Sequence, residues 1–214
     1  MADGRAARRT LGVAALALAC LSYGCAVAAA RVLEPRAGSE PGADLLVPPG
    51  YGSLLQDDVT LAVRAEAILL KVTPLEEWVL RLTAPDTWSR LSALAAAHRD
   101  EMARRTGVER PKLFLVSFFG AAPGAEFRPD DVRLQSRGRT LRPLLVRPIT
   151  SGWGEERVGQ GATQMAVYAF PSEIDLEQPL GVEYVGVTSS PWEEVLRRLD
   201  VERGRARSRA GLGG

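Results

Sequence analysis

The most continuous apolar run past the N-terminal segment is Leu113-Phe114-Leu115-Val116-Ser117-Phe118-Phe119, with Pro111 before it and Gly120, Pro123 and Gly124 after it. Short, aromatic and β-branched, with breakers at both ends, it predicts a strand buried on both faces. Upstream, Val59, Leu61, Val63, Ala65 and Ala67 alternate with Thr60, Ala62, Arg64 and Glu66, the period of a half-buried strand. Alternation fails through Ile68-Leu69-Leu70-Lys71-Val72, which predicts a bulge or a change of sheet. Thr73 to Glu77 reads as a turn, and Trp78-Val79-Leu80-Arg81-Leu82 as a second strand closing a hairpin. From Pro85 to Arg105 the period changes. Trp88, Leu91, Ala95, His98 and Met102 step by three and four, one face of a helix. Asp86 and Arg104-Arg105 suit its dipole, and Gly107 is its stop.

Beyond the central run, Pro129-Asp130-Asp131 is a turn, Val132 to Gln135 alternates, and Ser136-Arg137-Gly138-Arg139 is a hairpin turn. Thr140 to Thr150 is extended but carries Pro143 and Pro148, so it is an edge strand or one broken by a bulge. Thr163 to Phe170 alternates, and Leu180 to Val187 is the last strand. Ser190-Pro191-Trp192-Glu193 predicts a capped helix start, with Trp192, Val195, Leu196 and Leu199 on one face and Gly204 as the stop. The expected fold is mainly β: an immunoglobulin-like β-sandwich of about seven strands, with an inserted helix near 85–106 and a C-terminal helix near 190–203. Residues 57–203 form that domain, and 204–214 are expected to be a disordered basic tail.

Residues 1–30 read as an address. Arg5, Arg8 and Arg9 precede Leu11 to Ala30, which carries no charge and is long enough to span a bilayer at about 1.5 Å per residue. This is the layout of an export signal. Three readings follow: cleavage at a small-residue site such as Ala28-Ala29-Ala30, an uncleaved anchor helix, or a lipoprotein signal. Leu21-Ser22-Tyr23-Gly24-Cys25 resembles the lipobox of bacterial lipoproteins, whose cysteine becomes the lipidated first residue. That family usually has leucine three positions before the cysteine. Here Ser22 holds that place, and Leu21 lies one further back. Cys25 is the lipidation candidate, and Cys20, with Ala17 three before it, is second. The Pro- and Gly-rich stretch 31–56 reads as a tether, which as a loose coil holds the domain on the order of 25 Å from its anchor. All three readings export the body to the bacterial cell envelope, membrane-anchored on the periplasmic or surface side.

A second resemblance rests on the Phe114–Phe119 strand, the hairpin SRGRTLRP at 136–143, and the strand ending in Tyr168-Ala169-Phe170-Pro171. Residues 112–187 are similar to the exported immunoglobulin-like domains of many bacterial lipoproteins of unknown function. That implies a fold and a location, and no catalytic residues.

Charge narrows the partners. The 27 basic and 26 acidic residues leave a formal net charge of +1, so no global field points to nucleic acid or to an anionic membrane. Lys71 and Lys112 are the only lysines, which reflects genome composition more than phosphate binding. No cysteine follows Cys25, so the body holds no disulfide framework and no thiolate metal site. His98 is the single histidine, which excludes a two-histidine metal site, and on an apolar helix stripe it reads as structural. The pairs Asp57-Asp58, Glu76-Glu77, Asp130-Asp131, Glu155-Glu156 and Glu193-Glu194 are adjacent, so on a strand they point to opposite faces. Gly152-Trp153-Gly154 and Gly159-Gln160-Gly161 do not make GxGxxG, so no phosphate cradle or cofactor is expected. Trp153 has two readings: a lid on the core, or a loop contact for a partner. The Arg205–Gly214 segment is taken as solvated. The function expected is a non-enzymatic, envelope-tethered binding or assembly module with a possible envelope protein partner. The alternatives are an accessory subunit of a secretion or transport complex, and a hydrolase using His98 and loop carboxylates.

Overall fold

The computed structural model describes residues 47–212. The export segment, Cys20, Cys25 and the tether from 31 to 46 lie outside the described residues. No helix among those described is long and apolar enough to cross a membrane.

The elements run β1 (Leu61–Ala65), β2 (Ile68–Pro74), α1 (Glu77–Leu80), α2 (Pro85–Thr106), β3 (Lys112–Gly120), β4 (Ala125–Glu126), β5 (Arg133–Ser136) and β6 (Arg139–Leu141). They continue through β7 (Leu145–Pro148), β8 (Arg157–Val158), β9 (Thr163–Phe170), β10 (Leu180–Tyr184), β11 (Val187–Ser189) and α3 (Trp192–Arg209). The strands form a five-stranded sheet in the order β1-β2-β3-β9-β7, a four-stranded sheet in the order β11-β10-β5-β6, and the short pair β4-β8. Every strand pairing is antiparallel. The protein is mainly β, with several antiparallel sheets, an inserted helix and a C-terminal helix.

The 113–119 run is the middle strand of the larger sheet, between β2 and β9. Its alternate residues serve two cores. Phe114, Val116 and Phe118 point inward with Leu61, Val63, Leu70, Tyr168 and Phe170, and share one cluster with Leu134, Val182 and Tyr184 of the second sheet and Trp192, Val195 and Leu199 of α3. Leu113 and Leu115 point outward, with Val167 and Ala169, under Leu91, Ala95 and Met102 of α2.

Several sequence expectations change. There are eleven strands among the described residues, not about seven. Ile68–Val72 is neither a bulge nor a change of sheet: β1 and β2 form a tight hairpin pairing Ala65 with Ile68. Glu66 in its turn takes φ 51°, an unfavourable value that gave no sequence cue. The expected strand at 78–82 is the helical turn α1 and its exit. Its pattern fits a helix equally well, and Arg81 pairs with Glu77 at 2.7 Å across i,i+4. The Thr140–Thr150 stretch divides into β6 and β7, edge strands of different sheets. The Leu180–Val187 strand is two, β10 and β11, reversed at Val185-Gly186. The Arg137-Gly138 turn is as expected, with φ 50° and 72° in the two-residue loop between β5 and β6.

Both ends of the domain also differ. The tether does not extend to 56. Val47 is 3% exposed and belongs to the inner core, and Leu54 bridges to Thr83. A Cβ at Gly52 would lie 2.3 Å from the Leu82 carbonyl carbon, so only glycine permits that approach. At the other end, Ser190 makes no capping box. Pro191 takes the cap position of α3 without a side-chain bond. The helix passes Gly204 and runs to Arg209, so the expected disordered tail is helical over half its length. Ala206 is buried, and the Arg209 guanidinium meets the Glu202 carboxylate.

Candidate functional site

Two places on this frame could carry recognition. The first is the end of the inner core. Past Gly120, β4 pairs with β8, and a single helical turn at Trp153–Glu155 lies between β7 and β8. That turn directs the Trp153 indole inward, leaving it 8% exposed. Its ring centroid is 5.0 Å from Phe127, 5.6 Å from Phe118 and 6.3 Å from Tyr168. Edge-to-face geometry throughout makes this a packed aromatic cluster. Trp153 is therefore the lid, and its indole is not offered to a partner.

Two tyrosines fasten the loop beside the lid. The Tyr168 hydroxyl donates to the Pro129 carbonyl at 3.1 Å, and the Arg128 N–H donates to the Tyr184 hydroxyl at 3.0 Å. Burial drives the Tyr168 pKa far above the ordinary phenol value, with Asp130 adding in the same direction. Burial also raises Tyr184, against the opposing Arg128 N–H. Both phenols stay protonated and serve as struts.

Above the lid lies a cleft of about 620 Å³ lined by Glu126, Phe127, Arg128, Glu155, Glu156 and Arg157. The two loops thus bring carboxylates to one rim, but the Glu126 carboxylate accepts from Arg157 at 2.8 Å. Among the described residues, no group of His, Cys, Asp and Glu could hold a metal ion. His98 does not line this cleft. It is half-buried on α2, and its Nδ1 is buried without a hydrogen-bond partner, so no carboxylate orients it as a base. The other acidic pairs have local duties. Asp57 binds Lys71 at 2.8 Å, Asp58 lies 3.6 Å from Arg198, and Glu76 binds Lys112 at 3.0 Å. Glu193 and Glu194 sit in the first turn of α3.

The second place is the outer face of the five-stranded sheet. Register puts Arg64, Leu69, Phe119 and Thr163 in one cross-strand row, and Ala62, Lys71, Ser117 and Met165 in the next. Leu113, Leu115, Val167 and Ala169 continue the same face beneath α2. The helix covers those rows and reaches Met165 at the end of the second, leaving the first row and the Lys71 and Ser117 positions of the second open. A groove of about 420 Å³ lies there, lined by Gln56, Asp57, Leu69, Lys71, Ser117, Phe119 and Thr163. The Phe119 ring is 36% exposed on a strand whose other side is packed. This surface was missed from the sequence, which suggested a strand buried on both faces throughout. The available signal was Ser117, facing Lys71 and Met165 across the ladder.

No family model, no curated protein and no solved structure matches this chain.

Proposed function

We propose that the chain is a non-enzymatic binding module of the bacterial cell envelope, held at a membrane through its N-terminal segment and lipidated at Cys25. The address is supported by the arginine-led apolar run and its lipobox-like ending. The open outer face of the five-stranded sheet supports the binding role. An aromatic side chain standing on a rigid central strand, flanked by Leu69, Lys71 and Thr163, offers an apolar anchor with a polar rim. Kinship with exported immunoglobulin-like domains belongs to the same reading. Two antiparallel sheets around one core favour it, while the consecutive neighbours β1-β2-β3 in one sheet depart from an immunoglobulin strand order.

A photocrosslinking amino acid at Phe119 of the full chain, in native membranes, tests the binding role. One dominant adduct is expected from position 119, lost when Leu69→Asp is added. The same amino acid at the exposed Val187 of β11 should give no such adduct. Identical adducts from both positions, or none from 119, would overturn the reading.

A further inference from the structure

The C-terminal half of α3 lies beside the place where the domain receives its N-terminal chain. The Arg209 guanidinium donates through Nε and Nη2 to the Tyr51 carbonyl at 2.8 and 2.6 Å. The same group meets Glu202, a carboxylate only 2% exposed that also accepts from the Ser53 N–H and hydroxyl, both at 2.9 Å. Four residues before Tyr51, the Val47 carbonyl accepts from Arg81 at 3.4 Å. Tyr51 and Ser53 are thus clamped against the last turns of α3, while Val47 is held by Arg81 just past α1. The stretch from 31 to 46 reaches at most roughly 55 Å when fully extended. The described chain thus begins close to this contact, at Val47.

The cations of that end are only partly accounted for by contacts within the protein. Arg205 is exposed, Arg207 is half-exposed, and neither has an ion-pair partner among the described residues. The nearby acids are already committed: Asp200 to Arg203 at 2.8 Å, and Glu202 to Arg209. Favourable placement at the helix C-terminus accounts for arginines in the last turn, but Arg205 precedes it. Arg205 and Arg207 stand on the two flanks of the buried Ala206, and two exposed apolar side chains, Tyr51 and Leu212, lie at the same helix end. Tyr51 is joined to Arg209 as above, and the Leu212 N–H returns to the Arg207 carbonyl at 2.9 Å. Unpaired arginines beside an exposed tyrosine and leucine match a headgroup interface, where the cations meet lipid phosphate and the apolar groups enter the acyl boundary.

We propose that this end, formed by Tyr51, Arg205, Arg207 and Leu212, rests on the surface of an anionic phospholipid membrane. The proposal rests on the membrane-tethered reading above and adds the lipid class and the contacting residues. A solvated tail, expected from the sequence, would leave the leucine and tyrosine in water. A nucleic acid would use the arginines but not Leu212.

The test uses the full chain reconstituted into vesicles of phosphatidylcholine, with or without phosphatidylglycerol, with a photocrosslinking amino acid at Leu212 or, as a control, at Val187. Lipid adducts are expected from position 212 in the anionic vesicles and not from 187. They should fall about fivefold for Arg205→Gln and again for Arg207→Gln, the usual contribution of one cation near an anionic surface. Adducts equal in both vesicle types, equal from both positions, or indifferent to the two substitutions would overturn the proposal. Salt-sensitive retention of a labelled RNA with no lipid adduct would reassign the arginines and overturn it too. Flotation separates the tether from the surface contact. A chain that floats with both vesicles but gives no adduct refutes the surface contact alone, whereas one that floats with neither removes the tether and the contact together.

Discussion

The Trp153 indole fills the space that Phe118, Phe127 and Tyr168 leave at the end of the inner core. Removing it exposes three rings at once and leaves a cavity the short β4-β8 pair cannot close. Trp153→Ala is therefore expected to lower the unfolding free energy by about 3 kcal/mol or more, read from urea denaturation. A loss below about 1 kcal/mol would show that the indole does not pack this core. The sequence placed a tryptophan between two glycines and left both directions open. Which way the ring turned depended on Phe127 and Tyr168, distant in the chain and brought close only by folding. Phe119 is the converse case. Its neighbours in sequence are apolar, yet its neighbours across the ladder are Leu69 and Thr163, beyond the reach of α2.

At the scale of elements, α3 differs most from its sequence signals. Gly204 in a helix interior costs about 1 kcal/mol, which made it a reasonable stop. The helix continues because Ala206 is buried two residues further on and Arg209 reaches back to Glu202 and Tyr51. Ending the chain after Gly204 strips the buried Glu202 carboxylate of its guanidinium. The truncated protein is expected to lose about 1–3 kcal/mol of stability, since the buried carboxylate keeps only its Ser53 donors once the partly exposed Arg209 is gone. Unchanged urea midpoints would return residues 205–214 to the status of a loose tail. The α2 helix shows when local signals suffice. Its three-and-four spacing, Pro85 and Gly107 all agree, and the structure bounds it at Pro85–Thr106 with Gly107 as its cap.

For the molecule as a whole, the buried tyrosines set an alkaline limit. Tyr168 and Tyr184 ionise less readily in the folded protein than in the unfolded chain, where a phenol titrates near pH 10. A folded-state pKa raised in this way leaves stability whole below about pH 10. Above that the unfolded chain releases its protons first and stability falls. Urea midpoints should be level from about pH 7 to 9 and decline beyond about 10. Tyr168→Phe should make the decline shallower, and a midpoint that holds at about pH 11 would contradict the burial of these hydroxyls.

The sequence by itself determined the strands β3 and β9, the helix α2 and the Arg137-Gly138 turn, because each is specified by a period, a breaker or a backbone preference within a few residues. It also specified an arginine-led apolar N-terminus, whose reading as an export address depends on local composition alone. Tertiary structure decided the rest. It made 78–82 a helical turn, carried α3 past Gly204, drew residues 47–56 into the domain, turned Trp153 inward and left the Phe119 row bare. Apart from 78–82, whose Glu77–Arg81 pair is local, the deciding partner lies far away in sequence: Leu82 against Gly52, Glu202 against Ser53, Tyr51 against Arg209, Phe127 against Trp153, α2 against only part of the outer face. An apolar pattern states that a side chain will be covered. What covers it, and where the cover ends, is set by how the layers pack.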